Sequence, residues 1–376
     1  MILNNHYTQC ATYNFTKAPT LAASNTWYKG TAARNTYTEI HIVDSYTPTG
    51  NEETWNADVD NSGSIKCYAN GTVLTIVGNG SGRILANEDS SLAFGGNNST
   101  TRWSKVTEFT GLRMLDTRKA VDMSRMFDGL FLVTTLDVGH FNTSNVTNMN
   151  AMFNNCEQLL TLDVSRFRTN KVTDMYAIFA DCQNIKTLDV SRWNVSNVEN
   201  LNSAFYDCFV LEDLDLSNWD SCGASNMGMM LYCCYALKEL TLKRSASTKA
   251  TVMQAVLSEC RSLERINLDN FNTVSVQEMD YFFEDCKALT SVDLSMLDTS
   301  SLTIVYQLFS RCESLREVDM NNFNINVNSY GSMFSGCESD LTIYVSDEAA
   351  KTWFETKVID STQTNITVVI GKMPKN

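Results

Sequence analysis

The chain has 376 residues, 43% of them hydrophobic and 10% aromatic, so it can bury a large core. Its formal net charge of -14 argues against a nucleic-acid-binding surface, which needs clustered Lys and Arg to displace counterions from phosphates. No stretch approaches the roughly 18 uninterrupted apolar residues that a membrane span requires, so we expect no membrane insertion.

The N-terminal segment, residues 1–50, shows no targeting pattern. Its beginning, MILNNHYTQCATYNF, lacks a basic start followed by a long apolar run and therefore does not read as a secretory signal. We interpret residues 1–50 as an attachment or assembly segment.

A short acidic motif, DVDNSGSI, follows in residues 51–110. Its Asp58, Asp60 and Ser62 resemble the opening of a calcium loop, but position 12 of such a loop would be Ala69 instead of a bidentate Glu. An ordinary turn between strands is the alternative interpretation, and we predict no metal site.

A 26-residue repeat organises residues 111–345. An aliphatic residue recurs at the same position eight times: Leu136, Leu162, Leu188, Leu214, Leu240, Ile266, Val292 and Val318. A fixed period between about 20 and 50 residues indicates stacked units, none of which can bury its apolar face alone.

The unit at residues 162–187 shows the predicted structure of each repeat. Leu162 and Val164 alternate with polar residues, which predicts a strand with one buried face. Met175, Phe179 and Cys182 then recur at i, i+4 and i+7, which predicts a short helix. The repeat is therefore predicted to be an α/β fold of strand-plus-helix units.

Several repeat positions form columns of one residue type, which we assign to the core. One aromatic column comprises Phe127, Phe153, Phe179, Phe205, Phe283, Phe309 and Phe334. A cysteine column comprises Cys156, Cys182, Cys208, Cys234, Cys260, Cys286, Cys312 and Cys337. We predict that these thiols are small buried apolar groups, with disulfides or metal as alternatives.

Units such as LDVGHFNTSNVTNMNAMFNNCEQL and LDVSRFRTNKVTDMYAIFADCQNI resemble the BspA-like leucine-rich repeats, whose consensus is roughly LDLSxFDTSxVTxMxxMFxxCxxL. The resemblance implies a leucine-rich-repeat solenoid and a role in adhesion or recognition without enzymatic activity. It also implies a β-rich N-terminal cap at residues 51–110 and a C-terminal cap at residues 346–376. In the C-terminal cap, Ser346 would be the N-cap of a helix, and Trp353 and Phe354 would close the core.

The outward positions of the predicted strands form the candidate binding face. One column is rich in Asp: Asp137, Asp163, Asp189, Asp215, Asp293 and Asp319. These carboxylates either accept hydrogen bonds that turn the chain out of each strand, or present a face to cations or to a basic or polyol partner. One unit departs from the pattern and brings Lys243, Arg244 and Arg265 together, which indicates either relaxed selection or a local basic site.

Catalysis has little support in the sequence. His6, His41 and His140 lie in different contexts, without a nucleophile elbow, phosphate-binding glycine loop or zinc motif around them. We therefore predict no catalytic residue and no cofactor.

The absence of a signal and an anchor favours a phage virion protein, either a tail or a receptor-binding component. Such a protein would recognise a host cell-surface protein or glycan and would contact other virion proteins through its N-terminal segment. A bacterial cell-surface adhesin, located outside the cell, and a purely structural virion protein are the alternatives. Whether the chain forms a homo-oligomer stays open.

Overall fold

The computed structural model describes residues 18–24, 26–219, 223–242, 250–269, 271–361 and 363–374. The strands of these residues are short. They are β1 (Glu39–Val43), β2 (Glu53–Asn56), β3 (Lys66–Asn70), β4 (Val73–Val77), β5 (Ile84–Leu85), β6 (Glu108–Thr110), β7 (Leu115–Asp116), β8 (Thr187–Leu188), β9 (Asp213–Leu214), β10 (Glu239–Thr241), β11 (Arg265–Asn267), β12 (Ser291–Asp293), β13 (Glu317–Asp319), β14 (Leu341–Val345) and β15 (Ile366–Ile370).

Helical structure is sparse in the described part of the chain. The α-helix is α1 (Glu348–Trp353), and a π-helical turn (Phe354–Val358) continues it. Two single 3-10 turns lie at Arg34–Thr36 and Leu112–Met114. Among the residues described, no helix combines the length and the apolar character needed to cross a bilayer.

A five-stranded sheet forms the N-terminal part of the structure, in the order β2-β3-β4-β1-β6. Strands β3 and β4 form an antiparallel hairpin, and Gly71 in its turn has a φ of 57°, a conformation that glycine adopts without steric cost. Strand β1 pairs in parallel with both β4 and β6. Part of the predicted attachment segment, residues 39–43, therefore lies inside this sheet.

Stacked repeats follow the sheet, and their register has the period seen in the sequence. Leu188 pairs with Leu214, Leu240 with Ile266, and Val292 with Val318, each in a parallel bridge between successive units. These aliphatic residues point into one continuous core that extends from Leu21 to Val368. In β8, β9, β10 and β12 the aliphatic residue is buried and its neighbours are not, because successive residues of a strand point to opposite sides.

The prediction of strand-plus-helix units is wrong. In residues 173–182 the N–H groups of Met175, Ala177 and Phe179 donate to carbonyls of the next unit, at 2.9–3.0 Å, and not to carbonyls four residues earlier. Ala177 and Asp181 have φ values of 50° and 58°, in the left-handed region that interrupts an α-helix. The segment is a run of tight turns that hydrogen-bonds to the units above and below it.

The turns nevertheless bury the side chains that the sequence assigned to the core. Each such segment has two left-handed residues four positions apart, here Ala177 and Asp181, and Met175, Phe179 and Cys182 all face inward and are fully buried. The rings of Phe153 and Phe179 stack with centroids 5.7 Å apart. The eight cysteines of the column are buried as predicted, and the Cys182 thiol donates to the Phe153 carbonyl at 3.3 Å.

The C-terminal part ends the stack with β14, α1 and β15. The N-cap of α1 is Asp347, whose side chain accepts a hydrogen bond from the Ala350 N–H at 2.9 Å, so the assignment of this role to Ser346 is wrong. Phe354 is fully buried against Phe323 and Phe334 and closes the last core layer. Strand β15 adds to β14 in parallel and extends the sheet β12-β13-β14 by one strand.

Candidate binding face

One side of the repeat stack presents the outward residues of successive strands and of the equivalent segments 135–137 and 161–163, and we call this surface the strand face. Its first column contains the exposed residues Thr135, Thr161 and Thr187. Its second column contains the exposed residues Asp137, Asp163, Asp189, Asp215 and Asp293. These five predicted binding residues therefore lie on one surface, because units of equal length place equivalent positions above one another.

The Asp residues of this column shape the chain. The Ser165 N–H and hydroxyl donate to Asp163 Oδ1 at 3.1 and 2.7 Å, and the Ser191 N–H and hydroxyl donate to Asp189 Oδ1 at 3.2 and 2.6 Å. The hydroxyl of Ser165 holds the pKa of the Asp163 carboxyl below its usual range. Each such turn directs the chain out of its strand, as the structural interpretation of the column predicts.

A first groove of about 610 Å³ lies on the strand face near the N-terminal sheet. It is lined by Phe109, Thr110, Gly111, Thr135, Leu136, Asp137, Thr161, Leu162, Asp163, Thr187 and Asp189. Its charged lining is carboxylate. Arg113, which is exposed, contacts the edge of this groove and donates to Asp137 Oδ2 at 2.5 Å.

A second groove of about 560 Å³ continues the strand face toward the C-terminal end. It is lined by Asp213, Leu214, Asp215, Leu216, Ser217, Glu239, Leu240, Thr241, Arg265, Ile266, Asn267, Ser291, Asp293 and Met373. Arg265 is exposed and forms an ion pair with Glu239 of the preceding unit. The lining therefore carries an excess of negative charge.

Three predicted site residues are not among the exposed residues described above. Asp319 is only 3% exposed and accepts hydrogen bonds from the N–H groups of Asn321 and Met373, so it differs from the exposed members of its column. Lys243 and Arg244 fall outside the described residues. Of the predicted basic cluster, the structure places Arg265 in the second groove.

The acidic motif of the N-terminal region forms a closed turn. The Asp58 carboxylate accepts hydrogen bonds from the Ser62 N–H and hydroxyl at 2.6 Å and from the Gly63 N–H at 3.1 Å. Within the described ranges, no group of three or more His, Cys, Asp or Glu side chains is arranged to hold a metal ion. The loop satisfies its carboxylate from its own backbone, as an ordinary turn does.

A second acidic pair, which the sequence analysis did not single out, lies on the turn segments. Asp181 and Asp207 occupy the same left-handed position in successive units, and the Asp181 N–H bonds to the carbonyl of Tyr206 at 2.8 Å. Burial, together with the charge of Asp181, raises the pKa of Asp207 to about 6. The 26-residue spacing of Asp181 and Asp207 could have predicted that they occupy equivalent positions in successive units. Only the observed turn shows that both are half-buried.

Residues 100–186, 121–244 and 238–344 each match the family described as "Mycoplasma protein of unknown function, DUF285". No curated protein and no solved structure matches the chain. The matched ranges overlap, contain all of the repeats that line the two grooves, and together span well over half of the sequence. The chain therefore belongs to the DUF285 family of repeat proteins.

Proposed function

We propose that this chain is a non-enzymatic binding protein that recognises a ligand on a cell surface through its strand face. The observation that carries the proposal is the pair of adjoining grooves, both lined by outward residues of the repeat strands. Hydroxyl and carboxylate side chains line both grooves, and such groups form hydrogen bonds with the polar groups of proteins and glycans. The ligand class is accordingly a host cell-surface protein or glycan.

The proposal includes a finer family assignment and a location. The repeats are of the BspA-like leucine-rich type, which their sequence resembles within the DUF285 match. The protein is carried on a phage virion as a tail or receptor-binding component, with its N-terminal segment toward other virion proteins. A bacterial cell-surface adhesin is the second candidate, and the naming of Mycoplasma in the family description favours it.

Binding of the purified chain to intact bacterial cells tests the proposal. We expect the wild type to sediment with cells, and we expect the variant Asp163→Arg/Asp189→Arg/Asp215→Arg to lose this binding, because it reverses charge in both grooves. Glu88→Arg/Glu199→Arg/Glu348→Arg is the matched control, since it changes the net charge equally at exposed positions outside both grooves. Circular dichroism of each variant is the control for folding.

Equal loss in both variants would assign binding to overall charge and contradict a role for the strand face. No binding by the folded wild type to any tested cell type would favour a purely structural role in a particle. Binding to cells that also produce the protein would favour the adhesin over the virion component.

A further inference from the structure

The tail, residues 371–374, lies across the C-terminal end of the strand face. After β15 the chain turns at Gly371, where the N–H donates to the Val345 carbonyl at 3.0 Å. The Gly371 carbonyl accepts from Asn321 Nδ2 at 2.7 Å, and the Met373 N–H donates to Asp319 Oδ2 at 3.1 Å. The tail is thus held by the two polar residues at the end of β13.

These contacts distinguish the last unit from the units before it. Asp319 is 3% exposed and Asn321 is 8% exposed, whereas the equivalent Asp293 is exposed and Ser295 is partly exposed. Asp293 accepts its hydrogen bond from the Ser295 N–H of its own turn, as Asp319 does from Asn321. The additional partner of Asp319 is the backbone of the tail.

The tail also reaches the second groove. Met373 is part of the groove lining, together with Asp293, Asn267 and Ser291 of the preceding units. Equivalent carboxylates on adjacent strands are separated by about 4.8 Å, so Asp293 lies one step beyond Asp319 along the same column. The groove therefore continues a surface on which a polypeptide segment is already seated.

The charges of the residues that line the second groove indicate which polypeptide segments it can bind. Asp213, Asp215, Glu239 and Asp293 line the groove, and Arg265, the one guanidinium among the described lining residues, is paired with Glu239. The tail carries the exposed Lys372, so its charge is complementary to that of the lining. The backbone N–H of a seated segment supplies a donor that does not depend on its side chains.

We propose that the second groove binds an extended, lysine-containing polypeptide segment of a partner protein, and that the tail competes with that segment for the end of the groove. This inference rests on the proposed function, because it specifies the partner chemistry of one part of the strand face. Chains in which the tail occupies the end of the groove cannot bind a partner there. The apparent affinity for the partner therefore falls in proportion to the fraction of chains whose groove is open. Release of the tail therefore increases the affinity.

Fluorescence anisotropy with a labelled peptide tests the inference. The probe is GKMPKNGKMPKN, two copies of the tail sequence with its neighbouring residues, and the control peptide GEMPENGEMPEN replaces each Lys by Glu. We expect the chain shortened to end at Ile370 to bind the probe about fivefold more tightly than the full chain. Met373→Pro, which removes the N–H donor to Asp319 at full length, should give a gain in the same direction.

Matched groove variants locate the site. In the shortened chain, Asp215→Lys/Asp293→Lys should weaken probe binding about tenfold or more, because it reverses charge in the second groove. Asp137→Lys/Asp163→Lys makes the same change in the first groove and should leave binding within about threefold, since Asp163 lies two repeats from Asp215 and farther from Asp293.

The inference is overturned if neither the shortened chain nor Met373→Pro binds the probe more tightly than the full chain while circular dichroism shows both folded. Equal binding of the Glu peptide, or equal loss in the two groove variants, would also overturn it. Cell binding by the full chain with no binding of the probe by any variant would remove this inference and leave the proposed function standing. Probe binding by the chain without binding to cells would support a peptide-binding second groove and would contradict the proposed recognition of a cell surface.

Discussion

At the scale of single residues, the Asp column has a structural role that is separable from its charge. The Oδ1 atom of Asp189 accepts from both the N–H and the hydroxyl of Ser191. We expect Asp189→Ala to lower the free energy of unfolding by about 1 kcal/mol, because it leaves these donors without their acceptor. Asp189→Asn keeps an oxygen in place and should cost clearly less, as measured by urea denaturation. An equal cost for both substitutions would show that the charge, and not the acceptor, stabilises the turn.

The half-buried Asp207 gives stability a pH dependence of defined sign. Its pKa of about 6 lies above the ordinary value of 3.8, so the folded chain binds more protons than the unfolded chain between these values. The contribution of this group to stability is therefore present at low pH and is lost as the pH rises through about 6. The neighbouring titratable groups are Asp181, Cys233 and Tyr206.

Asp207→Asn tests this assignment. The amide carries no charge, so we expect the variant to be more stable than the wild type at pH 8 by about 1 kcal/mol, after allowance for solvent screening of a half-buried group. The difference should vanish near pH 4, where the wild-type carboxyl is protonated. A variant that is less stable than the wild type at pH 8 would show that the carboxylate is stabilised by its surroundings.

At the scale of elements, the sequence allowed the strands to be predicted but not the segments between them. Alternation predicts a strand with one buried face, and the structure has such a strand at Leu188, whereas near Leu136 and Leu162 it has only a single bridge between Thr135 and Thr161. The i, i+4, i+7 pattern of Met175, Phe179 and Cys182 has two structural explanations. A series of turns with left-handed residues four positions apart buries the same side chains as an α-helix. Hydrogen bonding between units decides between them, and it involves partners about 25 residues away that no local pattern records.

Substitution by glycine distinguishes the two conformations. Gln307 is half-buried with a φ of 53°, so Gln307→Gly should leave the stability unchanged or raise it by up to about 1 kcal/mol. In a helix the same change would cost about 1 kcal/mol. Gln277→Gly is the control, since Gln277 lies outside the positive-φ positions and should lose about that amount. Thermal denaturation of the two variants provides the comparison, and a clear loss for Gln307→Gly would contradict the turn structure.

At the scale of the whole molecule, the 26-residue period was enough to predict one surface on which Asp137, Asp163 and Asp189 lie together. It was not enough to predict which members of the column are accessible. Asp319 has the same repeat position but is covered by a segment 54 residues later in the chain. The closure of the strand face at its C-terminal end is therefore a property of the fold that the repeat pattern does not contain.

Site-specific photo-crosslinking to intact cells tests directly whether the strand face contacts the ligand. A photoreactive amino acid replaces Thr161 in the first groove, Thr241 in the second groove, or Glu199, which is exposed outside both grooves. We expect crosslinks to a cell-surface component from one or both groove positions and none from position 199. Crosslinks from position 199 alone, or binding to cells without crosslinks from either groove, would contradict the claim that the strand face contacts the ligand.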